Sequence, residues 1–182
     1  MNKTLRTLGL RVALTVVATT MCVNPARAQV GAPIPSWDQI LPAASRFVVL
    51  ANFGSNAVLD RETGLVWERS PSTTAVTYFT NAELACMGRA TGGRRGWRVP
   101  SIFEILSLID PTVPPPGVLL PPGHPFQKVS SASFFWSSTR DSNVTPLMWG
   151  ANTYDGVVYQ YFPTTAGLRV WCVRGPSQAS VH

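Results

Sequence analysis

Gly96-Trp97-Arg98-Val99-Pro100-Ser101-Ile102-Phe103-Glu104 decides how this chain is read. Pro100 fixes an extended approach, and Ser101 with Glu104 three residues later forms a capping box, in which hydroxyl and carboxylate each satisfy a backbone donor at a helix start. Ile102, Ile105, Leu106 and Ile109 then repeat at helical spacing until Pro111 forbids continuation, so a helix is expected from Ser101 to near Asp110.

Upstream, Thr80-Asn81-Ala82-Glu83 carries a second capping-box pattern. The helix expected from it turns Ala82, Ala85, Cys86 and Arg89 to one side and stops by Gly92-Gly93. Before it, Arg46 to Asn52, Ala57 to Asp60 and Leu65 to Glu68 read as strands, with Gly64 supplying the positive φ of a tight hairpin. Asp60 and Glu62 read as residues of that turn. After Pro111 a Pro- and Gly-rich loop runs to Ser133, of the kind that is usually functional or mobile. Four strand-like runs follow: Phe134 to Ser138, Leu147 to Gly150, Val157 to Phe162 and Leu168 to Arg174, with Asp155-Gly156 as a turn. In the last run Leu168, Val170 and Cys172 share a face. The order of elements predicts an α+β fold, two short helices on a mostly antiparallel sheet with one long Pro/Gly-rich loop.

The N-terminus sets the compartment. Lys3, Arg6 and Arg11 precede an apolar run, Val12 to Val23, and Ala26-Arg27-Ala28, the pattern of a cleaved secretory signal. Residues 1–28 are therefore expected to be a signal peptide, 29–45 a Pro-containing linker or arm, 46–175 the domain, and 176–182 a flexible tail. Losing the four basic residues of the leader leaves 11 of the 15 Lys and Arg against nine acidic residues, a net of +2 rather than +6. That balance is no argument for nucleic acid, and no membrane span is expected after cleavage. The localisation implied is extracytoplasmic: periplasm, cell surface or secreted. There, Cys86 and Cys172 are expected to form a structural disulfide, against the alternative of two buried thiols.

Four ordered blocks carry a resemblance. Val58-Leu59-Asp60-Arg61-Glu62-Thr63-Gly64-Leu65-Val66-Trp67, Gly96 to Ser101 with Glu104 and Leu108-Ile109-Asp110, Phe135-Trp136-Ser137-Ser138-Thr139, and Val170-Trp171-Cys172-Val173-Arg174-Gly175 resemble, in order, the blocks of the Lcl C-terminal domain family. The resemblance implies a C-type-lectin-like arrangement in a bacterial extracytoplasmic domain and, in one branch, adhesion to sulfated glycans through basic residues. Ile105 stands where the family prefers Leu, and Trp171 where Arg or Lys is common.

Arg89, Arg94, Arg95 and Arg98 crowd around Trp97, a grouping suited to an anionic sugar stacked on an indole. The competing reading makes Trp97, Arg98, Pro100 and Glu104 structural, with Trp97 in the core and Arg98 paired to Glu104 or Asp110, and leaves Arg94 and Arg95 as candidate ligand contacts. Arg140, Tyr154 and Asp155 join them as a polar rim expected at one end of the sheet. Trp67, Trp136, Trp149 and Trp171 fit core packing first. Asn143-Val144-Thr145 marks an exposed loop. Ser137, Ser138 and His124 do not form a catalytic set, and neither histidine has metal-ligand spacing to a cysteine, so catalytic residues, metal and cofactors are all expected to be none. The function expected is a secreted or cell-envelope module binding a glycan or another envelope component, with a structural subunit of an envelope assembly as the alternative and oligomers compatible with either.

Overall fold

The computed structural model describes residues 41–114, 117–130 and 133–175; the expected signal peptide, most of the expected arm and the expected tail lie outside them. The fold is α+β, with its strands in two antiparallel sheets rather than one. In the first sheet the order is β1 (Phe47–Val49), β2 (Ala57–Asp60), β3 (Val66–Glu68), β7 (Val173–Arg174); in the second it is β4 (Phe134–Arg140), β5 (Met148–Asn152), β6 (Val158–Tyr161). Helices α1 (Ala43–Arg46), α2 (Phe79–Met87) and α3 (Ile102–Leu106) complete the set.

The β2–β3 hairpin forms as its turn residues require, with Gly64 at φ 70° and Val58 opposite Trp67. Strand β1 is shorter than the apolar run promised. Arg46 closes a helical turn begun at Pro42, and after Val49 the chain enters a 3-10 turn over Ala51–Phe53. The end of the expected arm is thereby part of the body: Ala43 is buried and the Leu41 N–H donates to Glu62 Oε1 at 2.6 Å.

The capping box at Ser101 is present in both directions, Glu104 N–H to Ser101 Oγ at 3.2 Å and Ser101 N–H to Glu104 Oε2 at 2.8 Å. Helix α3 ends at Leu106, short of Asp110, because Leu108 and Ile109 donate to Ile105 and Leu106, three residues back. This tighter winding still buries Ile102, Ile105, Leu108 and Ile109. The box expected at Thr80 is absent. Helix α2 starts at Phe79, whose N–H donates to the Pro163 carbonyl at 2.8 Å and whose ring is buried against Trp136. A tertiary carbonyl and a packed aromatic here replace the local cap.

Of the run Leu168 to Arg174, only the last two residues join a ladder, yet the whole segment holds the two sheets together. Arg169 exchanges backbone hydrogen bonds with β4, at Phe134 O and Trp136 N, while Glu68 N on β3 donates to Cys172 O. Buried on both sides, it places Leu168, Val170 and Cys172 in one core cluster and Trp171 and Val173 in the other. Gly150 permits its close approach, since a Cβ there would sit 2.6 Å from Leu168 and 3.0 Å from the Phe135 carbonyl. Trp171 meets Trp67, Phe126 and Phe135 with ring centroids 5.0–5.3 Å apart and donates from Nε1 to Glu68 O at 2.8 Å. Phe126, Leu119 and Leu120 come from the Pro/Gly-rich loop, which thus contributes three side chains to the core. Cys86 on α2 and Cys172 are joined as a disulfide across 5.5 Å between Cα atoms.

Candidate functional site

A cleft of about 410 Å³ lies between α3 and the β4–β6 sheet. Its apolar lining is Ile102, Phe103 and Leu106 from α3 with Trp149 and Val158 from the sheet; Thr139, Arg140 and Ser142 form its polar side. The alternation of β5 explains Trp149. Met148 and Gly150 are buried on one face, so Trp149 turns to the other, where it stays partly buried at the cleft beside α3. Phe103 projects from the outer side of the short helix and is 40 % exposed. Arg140, at the end of β4, is exposed, and its side chain has no hydrogen-bond or ion-pair partner among the described residues. A guanidinium with no partner among the described residues, sharing a cleft with an indole and an apolar wall, can take a ligand with a flat or apolar face and an anionic or carbonyl group.

The rim is held by its neighbour Asp141. Its Oδ1 accepts from the N–H groups of Asn143 at 2.7 Å and Val144 at 3.1 Å, and its Oδ2 accepts from Gln160 Nε2. The Asn143 hydrogen bond leads in holding this carboxyl below its ordinary pKa, against a smaller opposing effect of burial. Asp141 therefore stays ionised as a loop clamp, and Asn143, Val144 and Thr145 are exposed as the sequence suggested.

The other expected contacts lie apart from this cleft. Arg94 and Arg95 follow the 3-10 turn Thr91–Gly93, both exposed. The Arg94 guanidinium covers the Phe53 ring at 4.9 Å, and the Arg95 carbonyl accepts from Arg174 Nε at 2.9 Å. Trp97 is buried, its Nε1 donating to Arg94 O at 2.7 Å. Arg98 forks Glu104 at 2.7 and 2.6 Å, and Arg89 pairs with the buried Glu68 at 3.2 Å. The arginine group around Trp97 is thus mostly structural.

Tyr154 and Asp155 sit in the β5–β6 turn, beside the start of β4, because Phe134 pairs with Asn152 while Arg140 pairs with Met148. They are therefore at the opposite end of the sheet from Arg140, and the single rim expected from the sequence is two separate places. The antiparallel register makes this so. Asp155 accepts from the Tyr159 hydroxyl at 3.1 Å, which raises the tyrosine's pKa. Sequence reasoning missed Phe103, Thr139, Ser142, Val158 and the outward turn of Trp149; the alternation of β5 was the one available signal.

Among the described residues no helix is long and apolar enough to cross a membrane. No curated protein matches the chain. The model of the Lcl C-terminal domain matches residues 56–174, from just before β2 through β7, well over half of the sequence. The chain therefore belongs to the Lcl C-terminal domain family.

Proposed function

We propose that this protein is an exported, C-type-lectin-like binding module of the cell envelope, acting outside the cytoplasm and recognising a glycan or another envelope component without catalysing a reaction. The observation that carries the reading is the α3–sheet cleft, where Trp149 and Phe103 offer aromatic surface and Arg140 has no partner among the described residues. A sugar ring stacks on an indole through its C–H face, and a guanidinium holds a carboxylate or sulfate in a charge-assisted pair. Export is supported by the leader pattern of residues 3–28 and by the Cys86–Cys172 bond, which suits an oxidising compartment.

A glycan array probed with the wild-type chain tests this directly. Trp149→Ala and Arg140→Ala should each weaken retention about tenfold, the loss expected for one stacked or charge-assisted contact of roughly 1.4 kcal/mol. Arg94→Ala with Arg95→Ala should change little. Binding that survives the first pair and is lost with the second would move the site to the basic turn.

The second reading is a structural subunit of a surface assembly. It is favoured by Leu84 and Met87, which project from the outer side of α2 and are among the most exposed large apolar residues described.

A further inference from the structure

We infer that β6 is a self-pairing edge through which two copies of this chain join their three-stranded sheets into one six-stranded antiparallel sheet. Among the described residues nothing pairs with the outer side of β6, which is last in the order β4-β5-β6.

The hydrogen-bond alternation specifies what that side offers. Asn152 N–H donates to Val157 O, which fixes the phase of the ladder although Val157 N–H itself turns to Asp155 Oδ1, and the hydrogen-bonded positions that follow are Gly150 with Tyr159 and Met148 with Tyr161. Val158 and Gln160 therefore turn their N–H and C=O groups away from β5, toward the open edge. A two-fold axis at Tyr159 sets Val158 of one copy opposite Gln160 of the other, and the reverse. All four outward groups on each strand are then satisfied by four interchain hydrogen bonds, with Tyr159 facing its own counterpart at the centre.

Charge is consistent with this occupant. A charge at the axis position would face its own copy, and edges that must stay single are commonly guarded by Lys, Pro or inward charge. Val157-Val158-Tyr159-Gln160-Tyr161-Phe162 contains none of these. It is exposed where pairing would cover it, with Val157 at 45 %, Tyr159 at 40 % and Phe162 at 57 %. Pairing also extends an aromatic face already present, since Tyr159 lies 6.2 Å from Phe134 and 6.4 Å from Tyr161 between ring centroids.

Sedimentation velocity of the full chain with its disulfide formed, over a wide concentration range, should show a monomer–dimer equilibrium. Gln160→Pro removes an N–H that points away from β5, so the monomer fold keeps its ladder while each dimer loses two interchain bonds. Dimerisation should weaken by more than about tenfold. Gln160→Ala keeps that N–H and loses only the contact with Asp141, so it should dimerise as the wild type does. Tyr159→Cys should form an intermolecular disulfide on mild oxidation, because residues at the axis approach to about 4.5 Å between Cα atoms. A wild type that stays monomeric at every concentration, or a dimer that Gln160→Pro leaves intact and Tyr159→Cys does not cross-link, overturns the inference.

Discussion

The guanidinium of Arg46 grips both carboxylate oxygens of Asp60, Nε to Oδ1 at 2.9 Å and Nη2 to Oδ2 at 2.8 Å, with side chains only 1 % and 0 % exposed. Nη2 also donates to Ser107 O at 2.7 Å, and Glu62 Oε2 lies 3.2 Å from Nε. One buried cation thereby ties α1, the β2–β3 hairpin and the end of α3.

Removing one partner of such a pair leaves the other charge buried. Asp60→Ala should therefore destabilise the fold by about 3–5 kcal/mol, and Glu62→Ala by less, because Asp60 still neutralises the cation. Urea unfolding followed by tryptophan fluorescence would measure both. Equal losses would mean that the two carboxylates share the charge evenly.

The Cys86–Cys172 bond closes a sequence separation of 86 residues and anchors α2 to the segment spanning both sheets. Cys86→Ala with Cys172→Ala should cost about 2–5 kcal/mol. Reduction of the wild type should lower its thermal midpoint to that of the double variant. A midpoint indifferent to reductant would show that the bridge contributes nothing to stability.

Glu68 links the disulfide region to the 3-10 turn that follows α2, its carboxylate accepting from Thr91 Oγ1 at 3.0 Å and from Cys172 N at 3.3 Å. Burial raises its pKa above the ordinary value, outweighing the opposite pull of Arg89 and of these hydrogen bonds. The folded state thus holds this proton more tightly than the unfolded chain does. Its contribution to stability is full below the ordinary carboxylate range and is lost as pH rises through the raised folded value. Glu68→Gln should flatten that part of the stability–pH curve, as read from urea midpoints. An unchanged curve would assign the dependence to other groups.

Ser101→Ala removes the hydroxyl that caps α3 and should cost about 1 kcal/mol. Glu104 keeps its fork with Arg98 in that variant, so the loss should stay well below that of Glu104→Ala, which removes both that fork and the carboxylate half of the capping box. Thermal melts of the two would separate cap from ion pair.

What could be read in advance was local. The box at Ser101, the Gly64 turn and the inward Cys172 each depend on neighbours a few residues away, and each formed. The false box at Thr80 shows the limit, because the Pro163 carbonyl that opens α2 is remote in sequence. Asp60 and Glu62 looked like turn residues for the same reason: Arg46, which they neutralise, belongs to an earlier element. Splitting the strands into two sheets, and separating Arg140 from Tyr154, depended on pairing register, which local pattern does not encode.

Residues 168–174 come last among the described elements, yet neither core cluster is complete without them. A nascent chain lacking this stretch can neither dock Trp171 nor lock α2. Both halves of the interior therefore stay open until these residues are in place, and the C-terminal end of the domain is the stitch that closes it.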